Sequence, residues 1–122
     1  MTYLVTIEQH HSYLHIIGTG PLTAENARQF LTDAYQAAIE RNCSSILVEM
    51  RFHGPSLGLG SIYSVIVDRS PDGSKLEKIA YVDANPNQVP DAAEFAELAA
   101  QNRGVNVRLF GDVMEASCWL TE

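Results

Sequence analysis

Ser45-Ile46-Leu47-Val48-Glu49-Met50, then Gly54-Pro55-Ser56-Leu57-Gly58, then Leu59, Ile62, Tyr63, Ile66 and Val67 decide the architecture. The unbroken apolar centre of the first segment suits a strand covered on both faces. The glycines and proline interrupt it, and the apolar residues that follow recur at helical spacing. Pro55-Ser56 reads as the opening of that helix, and Ser70-Pro71-Asp72-Gly73 as the turn that ends it. A second buried-type strand follows, Ile79-Ala80-Tyr81-Val82. Two covered strands joined by a helix imply a parallel βαβ unit with a right-handed crossover.

Working outward, residues 3–8 alternate and are rich in β-branched side chains, as a strand requires. Gln9-His10-His11-Ser12 forms a polar turn into Tyr13-Leu14-His15-Ile16-Ile17, so the chain opens with a hairpin; Gly18-Thr19-Gly20-Pro21 reads as the stop. From Thr23, a suitable N-cap, Ala27, Phe30, Leu31, Ala34, Ala37 and Ala38 share one helical face, and Asn42 is a plausible end. Asp91 and Glu94 resemble a capping box before Phe95, Leu98 and Ala99. Val105, Val107 and Leu109 alternate with polar residues, which suggests a half-exposed strand near an edge. Asp112 and Glu115 repeat the capping pattern, and Val113, Ala116, Trp119 and Leu120 make a last helix, with Trp119 as its core anchor. The expected fold is one α/β domain over residues 1–122. Its mixed, mostly parallel five-stranded sheet carries four helices in the order β-β-α-β-α-β-α-β-α.

The net charge of −7, from 15 acidic and 8 basic side chains, opposes binding to phosphate backbones and anionic membrane surfaces. The basic residues form no run, so no nucleic-acid partner is expected. Two cysteines, Cys43 and Cys118, are too few for a disulfide framework. The first residues lack the basic and apolar regions of a signal peptide, and no apolar run approaches the length of a membrane span. A soluble, cytoplasmic domain without an integral membrane segment is the expectation.

Gly54-Pro55-Ser56-Leu57-Gly58 matches G-x-S-x-G between a strand and a helix, the context of a nucleophile elbow. A hydrolase would place its histidine after the serine, whereas His10, His11, His15 and His53 all precede Ser56. A helix N-cap role for Ser56, with glycines that let helix and sheet approach, accounts for the same residues. The stretch is neither a Walker A loop nor a complete G-x-G-x-x-G. His10, His11 and His15 invite a metal reading, but a hairpin loop would splay the first two, and exposed histidines explain them; no metal and no cofactor are expected. Asp83 ends a buried-type strand, and Asn85 lies just beyond it. Ligands of open α/β sheets bind beyond the carboxyl ends of strands, so His53, Ser56, Gly58, Asp83 and Asn85 could share one rim.

Nearly the whole chain, in element order, resembles the STAS domain, and more narrowly the SpoIIAA-like (anti-sigma-factor-antagonist-like) group of small bacterial proteins. The likeness is most specific from Ile46-Leu47-Val48-Glu49-Met50 to Ser61. It recurs from Val107-Arg108-Leu109-Phe110 through Glu115-Ala116 to Trp119-Leu120. It implies a non-catalytic regulatory or protein-interaction module, whose partner is another protein, a small ligand or a second copy of itself. It also implies Ser56 as the position of a regulatory phosphoacceptor; the family's loop usually reads Asp-Ser-Ser-Gly, where this chain has Gly54-Pro55-Ser56-Leu57-Gly58. A small apolar-ligand or lipid carrier is the alternative, and a serine hydrolase at Ser56 a distant one.

Overall fold

The computed structural model describes residues 3–85 and 90–122. The chain order is β1 (Leu4–Gln9), β2 (Leu14–Pro21), α1 (Ala24–Glu40), β3 (Ser45–His53), α2 (Leu59–Gly73), β4 (Lys78–Asp83), α3 (Pro90–Asn102), β5 (Val107–Phe110) and α4 (Val113–Leu120). The five strands lie in one sheet in chain order, with β1 antiparallel to β2 and the other neighbours parallel. This is the mixed, mostly parallel α/β sheet that the alternation of periods implied.

Layering follows from handedness. From β2 to β5 every crossover steps in the same direction, and right-handed connections then put α1, α2 and α3 on one face. Their core joins Phe30, Ala34 and Tyr35 of α1 to Ile46, Val48, Ile79 and Val107 of the sheet, with a smaller cluster of Ile62, Ala92 and Ala96 between α2 and α3. Helix α4 is no crossover, and it covers the opposite face through Ala116 and Leu120 against Leu47, Ala80 and Val82. Alternation along β3 supplies both sides, Ile46 and Val48 to the first and Leu47 to the second. Trp119 is only half-buried, so the anchors of α4 are Ala116 and Leu120 instead. Its indole packs near Phe110, with Lys78 and Arg108 over the ring.

Local signals set several boundaries. Thr23 Oγ1 accepts from the Asn26 amide at 3.0 Å, and Asp112 Oδ1 accepts from the Glu115 amide at 2.8 Å, as their N-cap positions require. Asn42 ends α1 in the left-handed conformation (φ 53°), and the Cys43 amide reaches back to the Ala38 carbonyl at 2.9 Å. Helix α3 begins at Pro90, so Asp91 lies in its first turn and is not its cap. The half-exposed strand near an edge is β5, which among the described residues pairs with β4 alone.

Two expected stops are overridden by packing. Strand β2 continues through Gly18 and Gly20 to Pro21, because Gly18 pairs with Met50 of β3 while the Phe30 ring lies directly over it. A β-carbon at Gly18 would stand 2.7 Å from Phe30 Cδ1. Helix α2 likewise runs through Pro71 to Gly73. Proline withholds a single amide there, next to the C-terminus, and the segment is held from outside by Arg69 Nη1 donating to Thr32 Oγ1 at 2.9 Å. Gly18→Ala is expected to destabilise the domain by about 1–3 kcal/mol through overpacking. Urea unfolding measures this, and an unchanged midpoint would mean that the Phe30 ring yields freely.

Candidate functional site

Beyond the carboxyl ends of β3 and β4 the chain makes two loops, and one buried side chain ties them. Asn85 is 7% exposed; its Nδ2 donates to the Gly54 carbonyl at 3.0 Å, and its amide donates to Asp83 Oδ1 at 3.0 Å. Gly54 has a positive φ of 116°, which a residue with a β-carbon rarely adopts, so the backbone reverses there. The Tyr81 hydroxyl donates to Asp83 Oδ2 at 2.9 Å. Burial, reinforced by the Asp83 charge and this bond, holds the Tyr81 phenol well above its ordinary pKa. Of the expected group, Asp83 and Asn85 are linked to each other, and they are joined by two residues outside it, Gly54 through its carbonyl and Tyr81 through its hydroxyl.

The other expected members sit differently. Helix α2 starts at Leu59 with Gly58 as N-cap and no side-chain cap bond, so Ser56 is half-buried in the loop two residues earlier. Too little of the helix forms before Leu59 for Ser56 to act as its cap. The helix dipole is felt within the first turn, which moves the favoured anion position away from Ser56 toward Gly58. Backbone strain also falls on Gly54; among the described residues Asn42 is the one non-glycine with positive φ, so Ser56 lacks the strained geometry of a nucleophile elbow. Gly58 and Gly60 face open space, where a β-carbon would meet nothing within 4 Å, so close helix–sheet packing does not explain them. His53 is exposed, and alternation after buried Phe52 turns it toward the face opposite the α1–α3 core.

Under the Ser56 loop lies an apolar cavity of about 90 Å³ between the α1–α3 layer and the sheet. Leu57 borders it from the loop, Ile62 and Ile66 from α2, Met50 from β3, and Tyr81 and Asp83 from β4. It is smaller than the roughly 150 Å³ cavity known to admit benzene, so a larger occupant would have to displace a wall. Leu22, Leu57 and Val105 are the walls carried by connecting segments, and of these Leu57 belongs to the Ser56 loop. No sequence period could have revealed this space, since its lining comes from six separate elements and three of the segments that connect them.

The hairpin histidines are also rearranged. His11 is exposed, as a turn residue would be, but His15 is 7% exposed and lies with His10 and Glu8 in one group. The antiparallel register sets Glu8 opposite His15, and the turn brings His10 back over both.

No protein-family model matches this chain, and no curated protein matches it. In three dimensions it is similar to an uncharacterized protein of the DUF3478 family with a SpoIIAA-like fold, from Shewanella loihica PV-4. The two superpose with a TM-score of 0.57 over 97% of this chain and 93% of that one, at 19% identity. Among the described residues no helix is long and apolar enough to cross a membrane. With one antiparallel pair, three parallel pairs and four helices among the described residues, the chain has a SpoIIAA-like fold.

Proposed function

We propose that this protein is a non-catalytic regulatory module of STAS type, in which a small apolar ligand under the Ser56 loop sets the shape of a partner-binding surface. The observation that carries this reading is the position of Leu57, which borders the cavity from the same loop that Asn85 fastens through Gly54. An occupant that pushed Leu57 outward would move the residues between Gly54 and Gly58, the segment where the family resemblance sets its switch serine. Asp83 supplies polar chemistry at the cavity wall, so an apolar chain ending in a hydroxyl suits the space better than a plain hydrocarbon. Few precisely placed polar groups on an apolar lining are the usual make-up of a small-molecule site. The role proposed for these contacts is recognition.

Linear alcohols from butanol to octanol test the reading when titrated into labelled protein and followed by amide NMR. Saturable shifts centred on Leu57, Ile62, Ile66 and Tyr81 are expected, and Leu57→Trp, which fills the space, should abolish them. Shifts that never saturate, or that survive in Leu57→Trp, would remove the cavity from the function.

A further inference from the structure

We propose that Glu8, His10 and His15 form a binding site for one divalent transition-metal ion of the zinc class, with Glu49 as the group that orients His15. The three side chains come from the β1–β2 hairpin, and their ligand atoms lie within 4.8 Å of one another. His10 Nε2 and His15 Nδ1 each stand 3.5 Å from Glu8 Oε1. A tetrahedral zinc ion, with bonds of about 2.0–2.2 Å to nitrogen and oxygen, separates neighbouring ligand atoms by about 3.3–3.5 Å. The hairpin thus already holds two of the three ligand pairs at the spacing an ion would impose.

The surroundings of His15 strengthen the case. Its Nε2 lies 2.7 Å from Glu49 Oε1, and both side chains are buried. A carboxylate can only accept, so in the neutral imidazole the proton sits on Nε2 and the Nδ1 lone pair faces Glu8 and His10. A histidine that donates one ring N–H to a carboxylate while offering the other nitrogen is the usual arrangement around a bound metal. The second oxygen of Glu49 is held by Arg51 Nε, which fixes the carboxylate in turn. His10 is steadied differently, by stacking on the Tyr13 ring with centroids 4.6 Å apart and planes within 4°.

Three protein ligands leave a fourth position, and it faces water, since the Glu8 and His10 side chains are 51% and 40% exposed. Two imidazoles and one carboxylate suit zinc, nickel or copper better than magnesium or calcium, which prefer all-oxygen shells. The ion would join edge strand β1 to the buried strands through His15 and Glu49. This site is near the start of β2, at the opposite end of the sheet from the Ser56 loop, so neither proposal depends on the other.

Untagged protein titrated with Zn²⁺ by calorimetry should show one-to-one saturable binding, and a rise in melting temperature should accompany it. His10→Ala changes a half-exposed side chain and should fold normally, yet lose at least tenfold in affinity along with the thermal shift. His11→Ala should bind as wild type does. Glu49→Gln, if it folds, should lose roughly 10–100-fold, as expected when a carboxylate behind a ligand is removed. Co²⁺ should report nitrogen and oxygen ligands without a thiolate charge-transfer band. Absence of saturable binding, undiminished binding in His10→Ala, or a thiolate band from Cys43 or Cys118 would overturn the site.

Discussion

Phe30→Ala is expected to remove about 3–5 kcal/mol of stability, the range for truncating a fully buried aromatic side chain. Phe30 has no exposed surface, and its ring meets Phe52 edge-on with centroids 5.5 Å apart. It also fills the space over Gly18, so the truncation opens a void against backbone on one side and an aromatic ring on the other. Gly18 lies in β2, which is paired to β1 on one side and β3 on the other, and this limits how far the surroundings can collapse into that void. A domain of this kind has only about 5–15 kcal/mol in hand, so the variant should be marginal. Urea unfolding should show a much lower midpoint with an unchanged slope. A loss below about 1 kcal/mol would mean that α1 is not seated on the sheet through this residue.

The second large effect concerns alkaline pH. Burial pushes the Tyr35 phenol up to about 12, with nearby Arg69 opposing and Asp72 adding to the shift. Burial likewise raises Tyr81, aided by Asp83, and raises Tyr3, aided by its hydrogen bond to Asp33. Each folded-state value lies above the unfolded value of about 10, so the unfolded chain releases these protons first. The neutral phenols therefore contribute their full stability below pH about 10, and it is lost as pH rises from there through the folded values. For Tyr35 alone the two-unit gap corresponds to about 2–3 kcal/mol between pH about 10 and 12. Tyr81 steepens the same decline. Urea midpoints should fall sharply over that window, and Tyr35→Phe should flatten the part that belongs to Tyr35. Equal midpoints at pH about 9 and about 11.5 would show that the phenols reach water in the folded state.

Some of this protein was legible one short window at a time. The apolar centre of β3, the helical spacing from Ala27 to Ala38, and the caps at Thr23, Asn42 and Asp112 each depend on neighbours within a few positions. They specify the same local geometry wherever the chain goes. From them came the order of strands and helices, and right-handed crossover then left little choice for the first three helices. Asp83 and Asn85 were legible in the same way, as polar side chains at and just past the end of a covered strand.

What the tertiary structure decided lies between distant positions. Gly18 looks like a stop until Phe30 is laid over it, and Pro71 looks like a stop until Arg69 fastens the helix end to Thr32. Trp119 looks like a core anchor, but α4 is short and its axis turns Ala116 and Leu120 toward the sheet instead. His15 reads as an exposed hairpin residue because its partner Glu49 is 34 positions away on β3. Asn85 meets Gly54 across 31 positions, and the cavity beneath them has walls from elements spread along the chain. Periodicity reports which face a side chain occupies, whereas the partner it finds there is set by strand register and helix packing. Those are properties of the assembled sheet, and no local stretch of this sequence carries them.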